Sequence, residues 1–209
     1  MLLSEVLRGA GAKPTSADVE ITGISFKPDE VKKGDLFVCL HAESAAQECA
    51  EAKSRGAAAI VSPIDVDEGI PCAVAGEVRY ALARASGNFY GEPSKRLKVI
   101  TVVGTDGKST TAYLIREILE RCGMRAALIG TMYNEYGGKR SESKLTTPDP
   151  PQLHELFARY AAEGAEYVVM ELSAHAIYYR KLAGVRAEAA VFTNLGRDHL
   201  DFFGDEEIY

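Results

Sequence analysis

Apolar positions along the 209 residues follow two rhythms, short β-branched runs and longer stretches with helical spacing, which together predict α/β layering. Leu36 to Leu40 and Ala58 to Val61 are apolar runs of strand length. The Ala45 to Arg55 stretch between them is made of good helix formers and stops at Gly56. Val78, Ala81, Leu82, Ala85 and Phe89 share one helical face, which predicts an amphipathic helix over residues 77 to 90. Gly91-Glu92-Pro93-Ser94-Lys95-Arg96 is polar and broken by Gly and Pro, and reads as a domain boundary.

Beyond it, Val99 to Val103 is the run expected of a central parallel strand. Leu114, Ile115, Ile118, Leu119 and Cys122 mark one face of a helix that starts near residue 108 and ends at Gly123. Ala126 to Ile129, Tyr167 to Met170 and Ala189 to Phe192 read as buried strands. Asp149 caps a helix with Pro150 and Pro151 in its first turn, ended by Gly164. Asp205 to Tyr209 has the cap and acidic first turn of one more helix start. The prediction is an α/β protein: a small N-terminal α/β domain over residues 1–91, then a partial parallel-sheet α/β domain over residues 98–209.

Lys and Arg total 24 against 30 Asp and Glu, a net charge of −6 that argues against a nucleic-acid backbone or an anionic membrane as partner. No apolar run reaches the length of a bilayer span, and the first ten residues lack the pattern of a signal peptide, so a cytoplasmic location is expected. Cys39, Cys49, Cys72 and Cys122 show no metal-ligand spacing and are expected to be small buried hydrophobes in a reducing compartment.

The chemistry concentrates after the strand at 99–103. Gly104-Thr105-Asp106-Gly107-Lys108-Ser109-Thr110-Thr111 lies between that strand and a helix, the context that gives a GK[ST] signal its meaning. Glycines let backbone N–H groups and a helix N-terminus face phosphate oxygens. Lys108 can reach the β- and γ-phosphates of ATP, and the Ser109 hydroxyl can ligate Mg²⁺. The first glycine of the full pattern falls on Val102, and Asp106 adds a negative charge, so a plain Gly-rich turn followed by a lysine is the competing reading. Glu171 stands at the C-terminal end of a strand, the sheet edge where open α/β folds bind ligands, and a carboxylate there can hold Mg²⁺. His199, between Asp198 and Asp201 after another strand, is a candidate for ligand or supporting duty on the same edge.

Taken together, the Gly104–Thr111 loop, Thr146-Thr147-Pro148, Met170-Glu171-Leu172-Ser173-Ala174-His175 and Thr193-Asn194-Leu195-Gly196-Arg197-Asp198-His199-Leu200-Asp201 resemble the Mur ligases in order and approximate spacing. These are ATP-dependent amide ligases of peptidoglycan precursor synthesis. Val31 to Phe37 and Phe89 to Ser94 resemble the N-terminal domain and junction of the member that adds the third residue of the peptide. The resemblance implies that Gly104, Thr105, Asp106, Gly107, Lys108, Ser109 and Thr110 bind ATP. It implies that Ser109, Glu171 and His199 serve Mg²⁺, with Lys108, Glu171 and His199 catalytic. Thr146, Thr147, Ser173 and Lys181 would hold UDP-N-acetylmuramoyl-dipeptide, and the incoming amine would be diaminopimelate or lysine.

The bland alternatives are turn chemistry before Pro148 and helix capping by Ser173 and His175. The chain also departs from the pattern. Lys27-Pro28-Asp29 and Ser44-Ala45-Ala46 stand where the family's uridine pocket has Asp-Ser-Arg and Asp-Gly-His. Ala174 replaces a serine, and Tyr179-Arg180-Lys181 replaces Gln-x-Arg. The family's later residues, a carbamylated lysine among them, would lie past Tyr209. The resemblance therefore implies an N-terminal fragment, inactive alone, with self-association through its incomplete face. An amide ligase for another carboxylate, of folylpolyglutamate or cyanophycin type, and a non-catalytic interaction module remain open beside it.

Overall fold

The computed structural model describes residues 1–14, 17–205 and 207–209. They divide into two compact units: Met1–Glu92 with Arg180–Gly184, and Pro93–Tyr179 with Val185–Tyr209.

The first unit contains α1 (Leu3–Val6), β1 (Lys13–Pro14), β2 (Gly23–Ser25), β3 (Asp35–Val38), α2 (Ala45–Ser54), β4 (Ala59–Ser62), β5 (Cys72–Val74) and α3 (Val78–Phe89). Its sheet runs β1-β5-β4-β3-β2, parallel except for β1. Successive strand residues serve opposite faces. Leu36, Val38, Ala59 and Val61 pack with Leu3 and Val6 of α1 and Ala81, Leu82 and Ala85 of α3. Phe37, Cys39, Ile60 and Cys72 pack on the other side with Ala45, Cys49 and Ala52 of α2. Both faces are covered, which is why these strands read as unbroken apolar runs. Three cysteines are buried as expected, but Cys122 is exposed, because it follows the last turn of a surface helix. Arg180–Gly184 joins this unit through an Arg180–Glu77 ion pair of 2.8 Å and a close approach of Gly184 to Arg84.

The second unit contains β6 (Lys98–Val103), α4 (Lys108–Arg121), β7 (Ala126–Ile129), β8 (Tyr133–Tyr136), β9 (Lys139–Glu142), α5 (Pro150–Ala162), β10 (Tyr167–Leu172), α6 (Ala174–Tyr178), β11 (Ala187–Phe192) and α7 (Leu200–Phe203). The sheet order is β11-β6-β10-β7-β8-β9. Its first four strands are parallel, and β8 and β9 extend it as an antiparallel hairpin that the sequence pattern did not reveal.

The face of α4 differs from expectation. Leu114 and Ile118 are 52% and 60% exposed, while Ala112 is buried with Val102, Leu128 and Val169, and Ile115 and Leu119 pack against them. The inward face runs through 112, 115, 116 and 119, and it includes an arginine. Buried Arg116 is tolerated there because Glu117, Glu120 and Glu135 surround its guanidinium at 3.1, 2.7 and 3.4 Å.

The helix start expected at Asp205 is not helical. Among the described residues the last helix is α7, which ends at Phe203 with Gly204 as its C-cap, and Asp205 instead closes a turn by accepting the Ile208 N–H at 2.8 Å; Glu206 lies outside the described residues. Among the described residues, no helix is long and apolar enough to cross a membrane.

Candidate active site

Residues 104–107 carry the chain from the end of β6 into α4. Thr111 is the first residue of α4 whose N–H bonds back along the helix, to the Gly107 carbonyl at 2.9 Å. The amides of Lys108, Ser109 and Thr110 therefore project from the helix N-terminus, where the helix dipole favours an anion. The loop is clamped from the segment after β11. The Asp106 N–H donates to Asn194 Oδ1 at 2.9 Å, and the Asp106 carbonyl accepts from Thr193 Oγ1 at 2.7 Å and Asn194 Nδ2 at 3.2 Å. Gly104 is required by this clamp: it has φ +145°, and a Cβ there would lie 2.8 Å from the Asn194 carbonyl oxygen. Lys108 folds over the loop, its Nζ donating to the Gly104 and Thr105 carbonyls at 2.7 Å each.

Strand β10 lies beside β6 in parallel, with Glu171 level with Val102. That register sets Glu171 below the start of α4. Its side chain is 2% exposed and accepts three hydrogen bonds: Ser109 Oγ at 2.9 Å and Thr131 Oγ1 at 2.8 Å on Oε2, and the Thr131 N–H at 2.9 Å on Oε1. Gly130 makes room for it, since a Cβ there would stand 2.5 Å from Oε1. A hydroxyl and a carboxylate at a helix N-terminus are hard oxygen donors of the type Mg²⁺ takes. Among the described residues, no three His, Cys, Asp or Glu side chains converge on one metal position, so phosphate and water oxygens would complete such a shell.

Thr146 joins this cluster through its hydroxyl, 3.1 Å from Thr131 Oγ1. Thr147 is buried, donating to the Glu171 carbonyl and accepting from the Ser173 N–H, both at 3.0 Å. Ser173 caps α6 by accepting from the Ala176 N–H at 3.2 Å. A cavity of about 240 Å³ opens beside Ser109 and Glu171, walled by Tyr113, Leu128, Met132 and Tyr133.

His199 is placed differently. It has φ +54°, precedes α7, and directs Nε2 to Asp198 Oδ2 at 3.5 Å while its ring lies against His175 at 4.7 Å. No described hydrogen bond joins it to Ser109 or Glu171. Lys181 belongs to the segment that clusters with the first unit, outside the unit holding the phosphate loop. Two functional candidates were not singled out from sequence: Asn194, visible only as part of a polar run, and Thr131, marked by nothing beyond its place after a strand and a glycine.

Residues 102–209, just over half of the chain, match the Mur ligase middle domain. The chain belongs to the Mur ligase family. It is 38% identical, over 92% of its own length and 40% of the relative's, to the UDP-N-acetylmuramoyl-L-alanyl-D-glutamate–2,6-diaminopimelate ligase of Bacillus licheniformis. It is 40% identical to the Rhizobium meliloti protein of the same name, over 96% of this chain and 42% of that one. A solved structure of a ligase of that name covers the whole chain with 43% of its own length, at a TM-score of 0.82 and 27% identity. MurF from Acinetobacter baumannii shares the fold at a TM-score of 0.64 and 23% identity, over 98% of this chain and 43% of its own. The chain thus spans about two-fifths of the length of the curated Mur ligases it matches.

Proposed function

We propose that this chain carries the phosphate, metal and acyl-substrate contacts of an ATP-dependent, ADP-forming ligase that adds the third amino acid to UDP-N-acetylmuramoyl-dipeptide. The observation that carries the reading is the meeting of Ser109 and Glu171 at the mouth of the phosphate loop. In this reading Lys108 leaves the loop carbonyls for the β- and γ-phosphates, and the amides at the start of α4 hold the phosphate oxygens. Ser109 and Glu171 would hold Mg²⁺, with His199 the further candidate from the loop after β11. When bound, the ion offsets charge on the transferring phosphoryl group.

A substrate carboxylate oxygen attacks the γ-phosphorus, and the bond to the β–γ bridging oxygen breaks, so ADP leaves with the electron pair. The incoming amine then attacks the acyl carbon of the acyl phosphate, inorganic phosphate departs, and the amine gives up a proton. Thr146 and Ser173 face the acyl substrate. Thr147 serves it by holding the turn between β10 and α6. Diaminopimelate, the amine in the names of the relatives above, is the first candidate, and lysine the second.

One observation favours another acyl substrate. Lys27 pairs with Glu30 at 2.8 Å and Ser44 with Glu48 at 2.6 Å, so two of the residues at the uridine-pocket positions are engaged with nearby glutamates rather than set for a uridine. The complete gene product, given ATP, Mg²⁺, UDP-N-acetylmuramoyl-dipeptide and diaminopimelate, should release ADP and form the amide. Turnover only with a carboxylate lacking the UDP-sugar would favour the second substrate class. ATP hydrolysis with no amide from either would contradict ligation.

A further inference from the structure

Thr131 has no role in the chemistry above, yet it supplies two of the three described hydrogen bonds to the Glu171 carboxylate. Its hydroxyl lies 2.8 Å from Glu171 Oε2 and 3.1 Å from Thr146 Oγ1, but it carries one hydrogen. A carboxylate only accepts, and a charged acceptor outcompetes a neutral hydroxyl. The Thr131 hydrogen therefore goes chiefly to Glu171, and the Thr146 oxygen, the other acceptor within its reach, is the weaker partner.

We propose that Thr131 is a positioning residue that sets the Glu171 carboxylate for a divalent cation, through its hydroxyl on Oε2 and its backbone N–H on Oε1. This rests on the reading of Glu171 as a metal-holding residue. The backbone N–H of Thr131 also bonds Glu171, so a side-chain change isolates the hydroxyl: Thr131→Val keeps shape and N–H, and Thr131→Ser restores the hydroxyl.

The test measures ATP affinity with and without Mg²⁺ in the two variants and the parent chain. Thr131→Val should lose about tenfold of the Mg²⁺-dependent part of ATP affinity, leave the Mg²⁺-free affinity unchanged, and unfold at nearly the parent temperature. Thr131→Ser should restore the Mg²⁺ effect to within about twofold. An unchanged Mg²⁺ effect in Thr131→Val, or a Thr131→Ser variant no better than it, would overturn the proposal.

A parent chain that binds no ATP would count against the functional reading instead, and the Thr131 contact is then judged without ligand. The amide of residue 131 donates to the same carboxylate, so its hydrogen exchange, followed by NMR, should quicken by about threefold or more in Thr131→Val. Equal exchange in both proteins would overturn the proposal.

Discussion

Ser109 Oγ and Glu171 Oε2 stand 2.9 Å apart although 62 residues separate them in sequence. The contact follows from topology. Parallel pairing puts Glu171 level with Val102, and the loop after Val103 returns the chain as α4 directly above it. A hydroxyl at a helix N-terminus and a buried carboxylate are thus presented together by backbone geometry.

Lys108 spends its ammonium on two loop carbonyls, contacts that a phosphate can replace at little cost to the fold. Lys108→Ala should therefore weaken ATP binding by about tenfold or more while changing stability by about 1 kcal/mol or less. Fluorescent-nucleotide titration and thermal unfolding check the two halves separately. Unchanged affinity would mean that the loop does not bind phosphate.

Gly130 is the place where a single methyl group reaches the site. A Cβ 2.5 Å from Glu171 Oε1 must push the carboxylate or the strand end aside. Gly130→Ala should destabilise by about 1–3 kcal/mol in denaturant titration and abolish most of the Mg²⁺ effect on ATP affinity.

Asn194 fixes the loop through the main chain of Asp106 rather than through its charge. Asn194→Ala should speed hydrogen exchange of the Asp106 amide by about tenfold, the effect of losing roughly one net hydrogen bond, with little change in global stability. An Asp106 amide that exchanges at the parent rate would remove Asn194 from the clamp.

Much of the site was legible because its chemistry is local. A strand, two glycines, a lysine and a serine in immediate succession have one good structural solution, and Glu171 was marked by the apolar run before it. What could not be read depends on register and packing. The antiparallel hairpin of β8 and β9 is short and polar, with β9 exposed throughout, so it has no apolar signal. The inward face of α4 departs from the apolar pattern because Arg116 lies on it, and only the three glutamates around that arginine explain its burial. Thr131 acquires its part from the neighbouring strand, as Asn194 does from the clamp. The cysteines sharing one core face come together through strand order and the packing of α2 on the sheet.

In the first unit, Asp18 accepts from the Ser4 N–H and hydroxyl at 2.8 and 2.7 Å, bonds that hold its carboxyl below the ordinary value of 3.8. A depressed folded value means that the carboxylate's contribution is complete above the unfolded value and is lost as pH falls through the folded one. The stability gap between the parent and Asp18→Asn should be constant near neutral pH and close below about pH 3.8. Urea titrations at several pH values check the sign.

The most direct test of the shared phosphate and metal site is the effect of Mg²⁺ on ATP affinity in Glu171→Gln. The replacement keeps the size of the side chain and removes its charge. The parent chain should bind ATP more tightly with Mg²⁺ than without it. Glu171→Gln should match or exceed the parent without Mg²⁺ and gain little when the ion is added. A Glu171→Gln variant that keeps the full gain from Mg²⁺ would contradict the account, because the cation would then be held without the carboxylate that Ser109 meets.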